Sequence, residues 1–94
     1  MFNNSRYLTA GVNASIPLSI QMFLWNCIDL LPADRDYLQV FKLTPCNGMQ
    51  QIIHLSEEPE YHMRFLIPTD EPITAKIYVI DDDSHSTMLL ADEY

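Results

Sequence analysis

Ninety-four residues, 48% of them hydrophobic and 19% charged, suffice for one folded domain and are too apolar for a disordered chain. Thirteen Asp and Glu against five Lys and Arg give a net charge of −8, which repels phosphate backbones and anionic lipid and so argues against direct nucleic-acid or membrane binding. Cys27 and Cys46 have no metal-type spacing, and no charged segment followed by an apolar run opens the chain, so the expectation is a cytoplasmic protein with reduced thiols and no cofactor.

Residues 1–5 read as a mobile polar lead to a single domain, 1–94. Arg6 to Val12 mixes Tyr, Leu, Thr and Val and predicts a strand, with Gly11 marking a bulge or its end. Ile16 to Leu31 is the segment around which the rest is expected to wrap. Pro17 suits a first helical turn, Ser15 stands ready to cap it, and Pro32 stops it. On a helix of about 100° per residue, Ile16, Ile20, Phe23, Leu24, Cys27, Leu30 and Leu31 share one face, with Ser19, Asn26 and Asp29 opposite. The segment is too short and too polar to span a bilayer, so its buried partner is protein.

Strands follow. Tyr37 to Thr44 leads into a turn at Pro45-Cys46-Asn47-Gly48, where Gly48 closes a three-residue hairpin loop. Met49 to Leu55 turns Met49, Ile53 and Leu55 inward. An acidic loop connects it to Tyr61–Ile67, whose Tyr61, Met63, Phe65 and Ile67 alternate with His62, Arg64 and Leu66. Ala75 to Asp81 and Thr87 to Ala91 complete the set, joined by a turn over Asp81 to His85. The predicted fold is α+β: one amphipathic helix packed on a curled antiparallel five- or six-stranded meander, a cystatin-like small roll. The loop by which cystatins grip proteases is absent, and the analogy carries no function.

The chain is also similar, over nearly its whole length, to a domain-of-unknown-function family of short cytoplasmic proteins from Gram-positive bacteria. The likeness lies in RYLT (Arg6 to Thr9), IPLSIQMFLW (Ile16 to Trp25), DYLQVF (Asp36 to Phe41), AKIYVIDD (Ala75 to Asp82) and HSTMLLADEY (His85 to Tyr94). It implies an α+β roll and supplies no activity, cofactor or substrate. Asp83 stands in the last hairpin where a Gly is expected.

Few residues point to chemistry. Asp81-Asp82-Asp83 lacks the alternate spacing and turn Gly of a Ca²⁺ loop and reads as a solvated hairpin tip. Cys46 has no neighbour to activate it, and Ser84-His85-Ser86 is too local for a triad, so no catalytic residue is assigned and the chain reads as non-enzymatic. If the loop Ser56 to Glu60 sets Leu55 opposite Tyr61, His54 faces His62 across the strands; the pair is a weak metal-ligand candidate beside the plainer reading of two surface histidines. The apolar excess is more informative. Leu18, Met22 and Trp25 on the helix's second flank, with Leu38, Val40, Leu66, Tyr78 and Ile80 on the strand parity opposite the core, mark an interface. The leading expectation is a protein-interaction or regulatory module acting as a homodimer. Two alternatives are an acidic nucleic-acid mimic and a small-molecule pocket between helix and sheet lined by Trp25, Met63 and Phe65.

Overall fold

The computed structural model describes residues 2–94. Its elements run β1 (Ser5–Leu8), α1 (Ala10–Ser15), α2 (Leu18–Asp29), β2 (Leu38–Cys46), β3 (Met49–Glu57), β4 (Glu60–Pro68), β5 (Ala75–Asp81), β6 (His85–Leu90) and a closing 3₁₀ turn (Ala91–Glu93). No helix among the described residues is long and apolar enough to cross a membrane.

The strands form one sheet in the order β1-β6-β5-β2-β3-β4, antiparallel except for the parallel pair of β1 and β6. This corrects the antiparallel, cystatin-like meander read from the sequence. β2, β3 and β4 are joined by hairpins, but β5 returns beside β2 and makes a Greek key of the four. The reason lies in composition. Ile77-Tyr78-Val79-Ile80 of β5 suits a central strand with both faces occupied, whereas β4 carries Glu60, His62 and Arg64 and tolerates the edge. The buried Gln50 side chain ties down the crossing segment: its amide donates to the Ile73 carbonyl (3.1 Å) and its oxygen accepts from the Ile73 N–H (2.8 Å).

The central helix is shorter than its apolar pattern. It begins after Pro17, because Ser15 ends a separate helix instead of capping this one. Ile20, Leu24, Cys27 and Ile28 are buried with Ile16 and Leu31 against Phe41, Leu43, Ile52, Ile77, Val79 and Met88. Leu30, expected inside, is 74% exposed, since the helix closes at Asp29 and Leu30 caps its end. Phe23 is only half-buried, edge-on to Phe65 with ring centroids 5.3 Å apart. Gln21 lies buried beside the core and donates to the Ile16 carbonyl at 2.8 Å.

The predicted strand over Arg6 to Val12 divides. Thr9 ends it by accepting from the Val12 N–H (3.2 Å), which starts α1, and Gly11 falls within that helix. A Cβ on Gly11 would lie 2.6 Å from a Glu93 carboxylate oxygen, so this glycine leaves room for that carboxylate. The predicted mobile lead begins at Met1, outside the described residues, but from Phe2 onward it is anchored. Phe2 is buried, its N–H donates to Asp81, and the Asn4 amide bonds the same carboxylate at 2.9 Å. Asp81 is therefore a buried strand residue rather than part of a solvated tip. Burial pushes its carboxyl up, but the N–H groups of Phe2 and Asp83 and the Asn4 amide outweigh this and hold it below the usual range. The β2–β3 turn is tighter than predicted: Cys46 pairs with Met49, and Asn47 and Gly48, at φ 51° and 77°, form the two-residue hairpin that Asn-Gly favours.

Candidate functional site

Side chains alternate across a strand, so register assigns each residue to a face. The β3–β4 hairpin turns on two residues, with Glu57 opposite Glu60, Ser56 opposite Tyr61 and Leu55 opposite His62. This is one residue out of the predicted register, and a one-residue slip inverts every side chain. Gln50, Ile52, His54 and Ser56 point to the core, while Met49, Ile53 and Leu55, expected inside, point away.

His54 and His62 are consequently on opposite faces, and the proposed pair does not exist. His54 is fully buried, stacked on Phe41 (centroids 4.2 Å apart) and edge-on to Tyr61 (4.9 Å), with Nε2 2.7 Å from Gln39 Oε1. The Gln39 amide in turn donates to the Asp36 carbonyl at 2.8 Å. Nδ1 is buried without a hydrogen-bond partner, and burial pushes the imidazole down to about 4. Burial likewise pushes the Cys27 thiol up to about 11, which keeps it an unreactive core group. Among the described residues no three His, Cys, Asp or Glu side chains converge on a metal position. At the β5–β6 turn, Asp82 Oδ2 lies 3.2 Å from His85 Nε2 and Ser84 Oγ 2.8 Å from His85 Nδ1. The hydroxyl, however, donates to Asp82 Oδ1 at 2.9 Å, so these contacts brace an exposed turn.

The buried core lies on one face of the sheet. The opposite, open face is banded. At one end of it stand Glu57 and Glu60. The next band runs His62, Leu55, Val40, Tyr78 and Leu89 across five strands; the one after runs Arg64, Ile53, Lys42 and Lys76; then come Leu66, Gln51 and Thr44, and last Pro68, Met49 and Cys46. Three of the five cations thus fall in one row, although they are scattered in sequence. Lys42 directly opposes Lys76, a destabilising like-charge pair. Among the described residues, none of the three meets a carboxylate within 4.0 Å; the ion pairs are Arg6–Asp29 and Asp82–His85. Arg64 Nε donates to Gln51 (2.7 Å), and Lys76 Nζ lies 5.6 Å from the Tyr78 ring centroid. A groove of about 570 Å³ opens at the acidic end, lined by Asp36, Tyr37, Leu38, Val40, Leu55 and Glu57 among others.

Of the residues predicted to form an interface, Leu38, Val40, Tyr78 and Ile80 are half-buried and Leu66 is 41% exposed, all on this open face. Leu18, Met22 and Trp25 belong to the helix layer on the other side. Leu18 and Met22 are exposed, and the Arg6 guanidinium lies 4.9 Å from the centroid of the half-buried Trp25 ring. One contact surface cannot include both groups. Nor do Trp25, Met63 and Phe65 line one pocket: Phe65 packs on Phe23, on the flank of α2 away from Trp25, and Met63 is 43% exposed. Sequence reasoning missed the cation row and the outward Ile53 and Leu55. The Glu58-Pro59 dipeptide, read as a two-residue hairpin tip, was the available signal.

Residues 5–93 match a family described as staphylococcal protein of unknown function (DUF960). The crystal structure of a protein of unknown function from Enterococcus faecalis superposes with a TM-score of 0.84 at 27% sequence identity, covering 97% of this chain and 91% of that one. No curated protein matches the chain.

Proposed function

The chain belongs to the DUF960 family, and from that premise we propose that it is a non-enzymatic interaction module of the cytoplasm, working as a homodimer through the open face of its sheet. One observation carries the reading. Among the described residues, the six-stranded sheet has its α-helices on one face, while the other presents the apolar residues Leu55, Val40 and Tyr78, the last edge-on to Tyr94, flanked on one side by three cations that meet no carboxylate within 4.0 Å. A sheet face turned to water ordinarily alternates to polar residues, and contiguous apolar surface rimmed by charge marks a contact. The unpaired state of Cys27 and Cys46 accords with a reducing compartment. A nucleic-acid mimic would need carboxylates ranged on one surface, and this face sets Lys42, Lys76 and Arg64 beside Glu57 and Glu60.

Sedimentation equilibrium at roughly tens of micromolar tests the reading, since association is a mass-action effect. The native chain should sediment as a dimer, Tyr78→Glu as a monomer with an unchanged circular-dichroism spectrum, and Trp25→Glu as a dimer. A native monomer, or dissociation by Trp25→Glu and not by Tyr78→Glu, overturns it.

A further inference from the structure

We infer that the open face is occupied by a second copy of this chain, turned about a two-fold axis running across the strands through the Val40–Leu55–Tyr78 band. The inference rests on the interaction-module reading and fixes its partner and register. The charge pattern along β4 is antisymmetric about that band, and β3 adds a second acid at its acidic end. Glu57 and Glu60 lie two residues to one side of Leu55 and His62, and Ile53 and Arg64 lie two residues to the other. Glu60 and Arg64 are therefore about 13 Å apart within one chain, at about 3.3 Å per residue, and do not neutralise each other.

Rotation about this axis keeps each strand over its counterpart and exchanges the two ends. Apolar band then meets apolar band. Arg64 stands over Glu60 of the second copy, and Lys42, one strand from β3, reaches Glu57 of the second copy. Stacked sheets lie about 10 Å apart, a gap that an Arg and a Glu span together. The same contact relieves the opposition of Lys42 and Lys76, which no carboxylate among the described residues offsets. A two-fold axis along the strands would instead set the cation row on itself, and like charges in register cost affinity. The self-complementary pattern is the isologous kind that closed dimers require.

Charge exchange tests it. Arg64→Glu and Glu60→Arg alone should each weaken dimerisation by about tenfold or more in sedimentation equilibrium, while the double variant returns to within about threefold of the native constant. Because Arg64 of each copy faces Glu60 of the other, an equimolar mixture of the two single variants should form heterodimers far tighter than either alone. Single variants that dimerise like the native chain, or losses that add in the double variant, overturn the register. If Tyr78→Glu still dissociates the dimer in that case, the open face stands and only this pairing fails. A native chain that stays monomeric, or pairs only with a different acidic protein, overturns the second copy as occupant.

Discussion

On the covered face of the sheet, buried polar side chains have specific partners, His54 Nδ1 excepted; on the open face, three cations are solvated and meet no carboxylate. Gln39 with His54, Gln50 with Ile73, and Asp81 with Phe2 and Asn4 each place a polar side chain at a buried position with a specific partner. An unpaired buried polar group costs about 1–3 kcal/mol, so each match fixes a register or a connection that apolar packing alone would leave free. Lys42, Lys76 and Arg64 do the reverse. They gain nothing from one another, and in the dimer we propose their alignment serves the second copy. On that proposal, polarity specifies the fold on one side and the contact on the other.

The most disruptive way to break this contrast is Phe41→Ala. It opens a cavity in the fully buried layer and removes the ring on which His54 stacks, so it should cost about 3–5 kcal/mol in urea denaturation. Acid probes the same layer. Burial lowers His54 from 6.5 to about 4, so between those values the unfolded chain takes up a proton that the folded chain refuses. Stability is whole above pH 6.5 and falls as the pH drops towards about 4, by up to about 3 kcal/mol at 1.36 kcal/mol per unit. Urea midpoints at pH 7, 6 and 5 should show the decline, and His54→Leu should flatten it over that range, where carboxylates contribute little. Gln50→Leu should cost about 1–3 kcal/mol, because it leaves the N–H of Ile73 without its partner; faster hydrogen exchange across residues 69–74 would locate the loss there. The smallest effect sharpens the contrast best. Lys42→Glu replaces a like-charge pair with an opposite one facing Lys76, so it should stabilise the monomer by about 0.2–1 kcal/mol while weakening self-association.

The legible parts of this fold are those whose pattern is local. Ile20, Leu24, Cys27 and Leu31 repeat at helical spacing and are buried as predicted, and Tyr61, Phe65 and Ile67 alternate as β4 does. β3 was misread for a physical reason. Met49, Ile53 and Leu55 outnumber Ile52 among its apolar residues, yet the core side is the one carrying Gln50, His54 and Ser56. Hydrophobic counting fails where buried polar residues have partners and the outer face is itself apolar. The candidate site was half visible: Leu38, Val40, Tyr78 and Ile80 follow from strand parity, but the cation row depends on β5 lying beside β2, which no short spacing encodes. The parallel pairing of β1 with β6 is equally non-local.

That last pairing orders events during synthesis. Ser5 through Leu8 have no strand to join until His85 through Met88 have left the ribosome, and the Asp81 carboxylate that holds Phe2 emerges almost as late. The β2–β3–β4 hairpins can zip as they appear, but the first strand waits for nearly the whole chain. Because closing so long a loop is entropically costly, this edge should form last in refolding and open first under force or proteolysis.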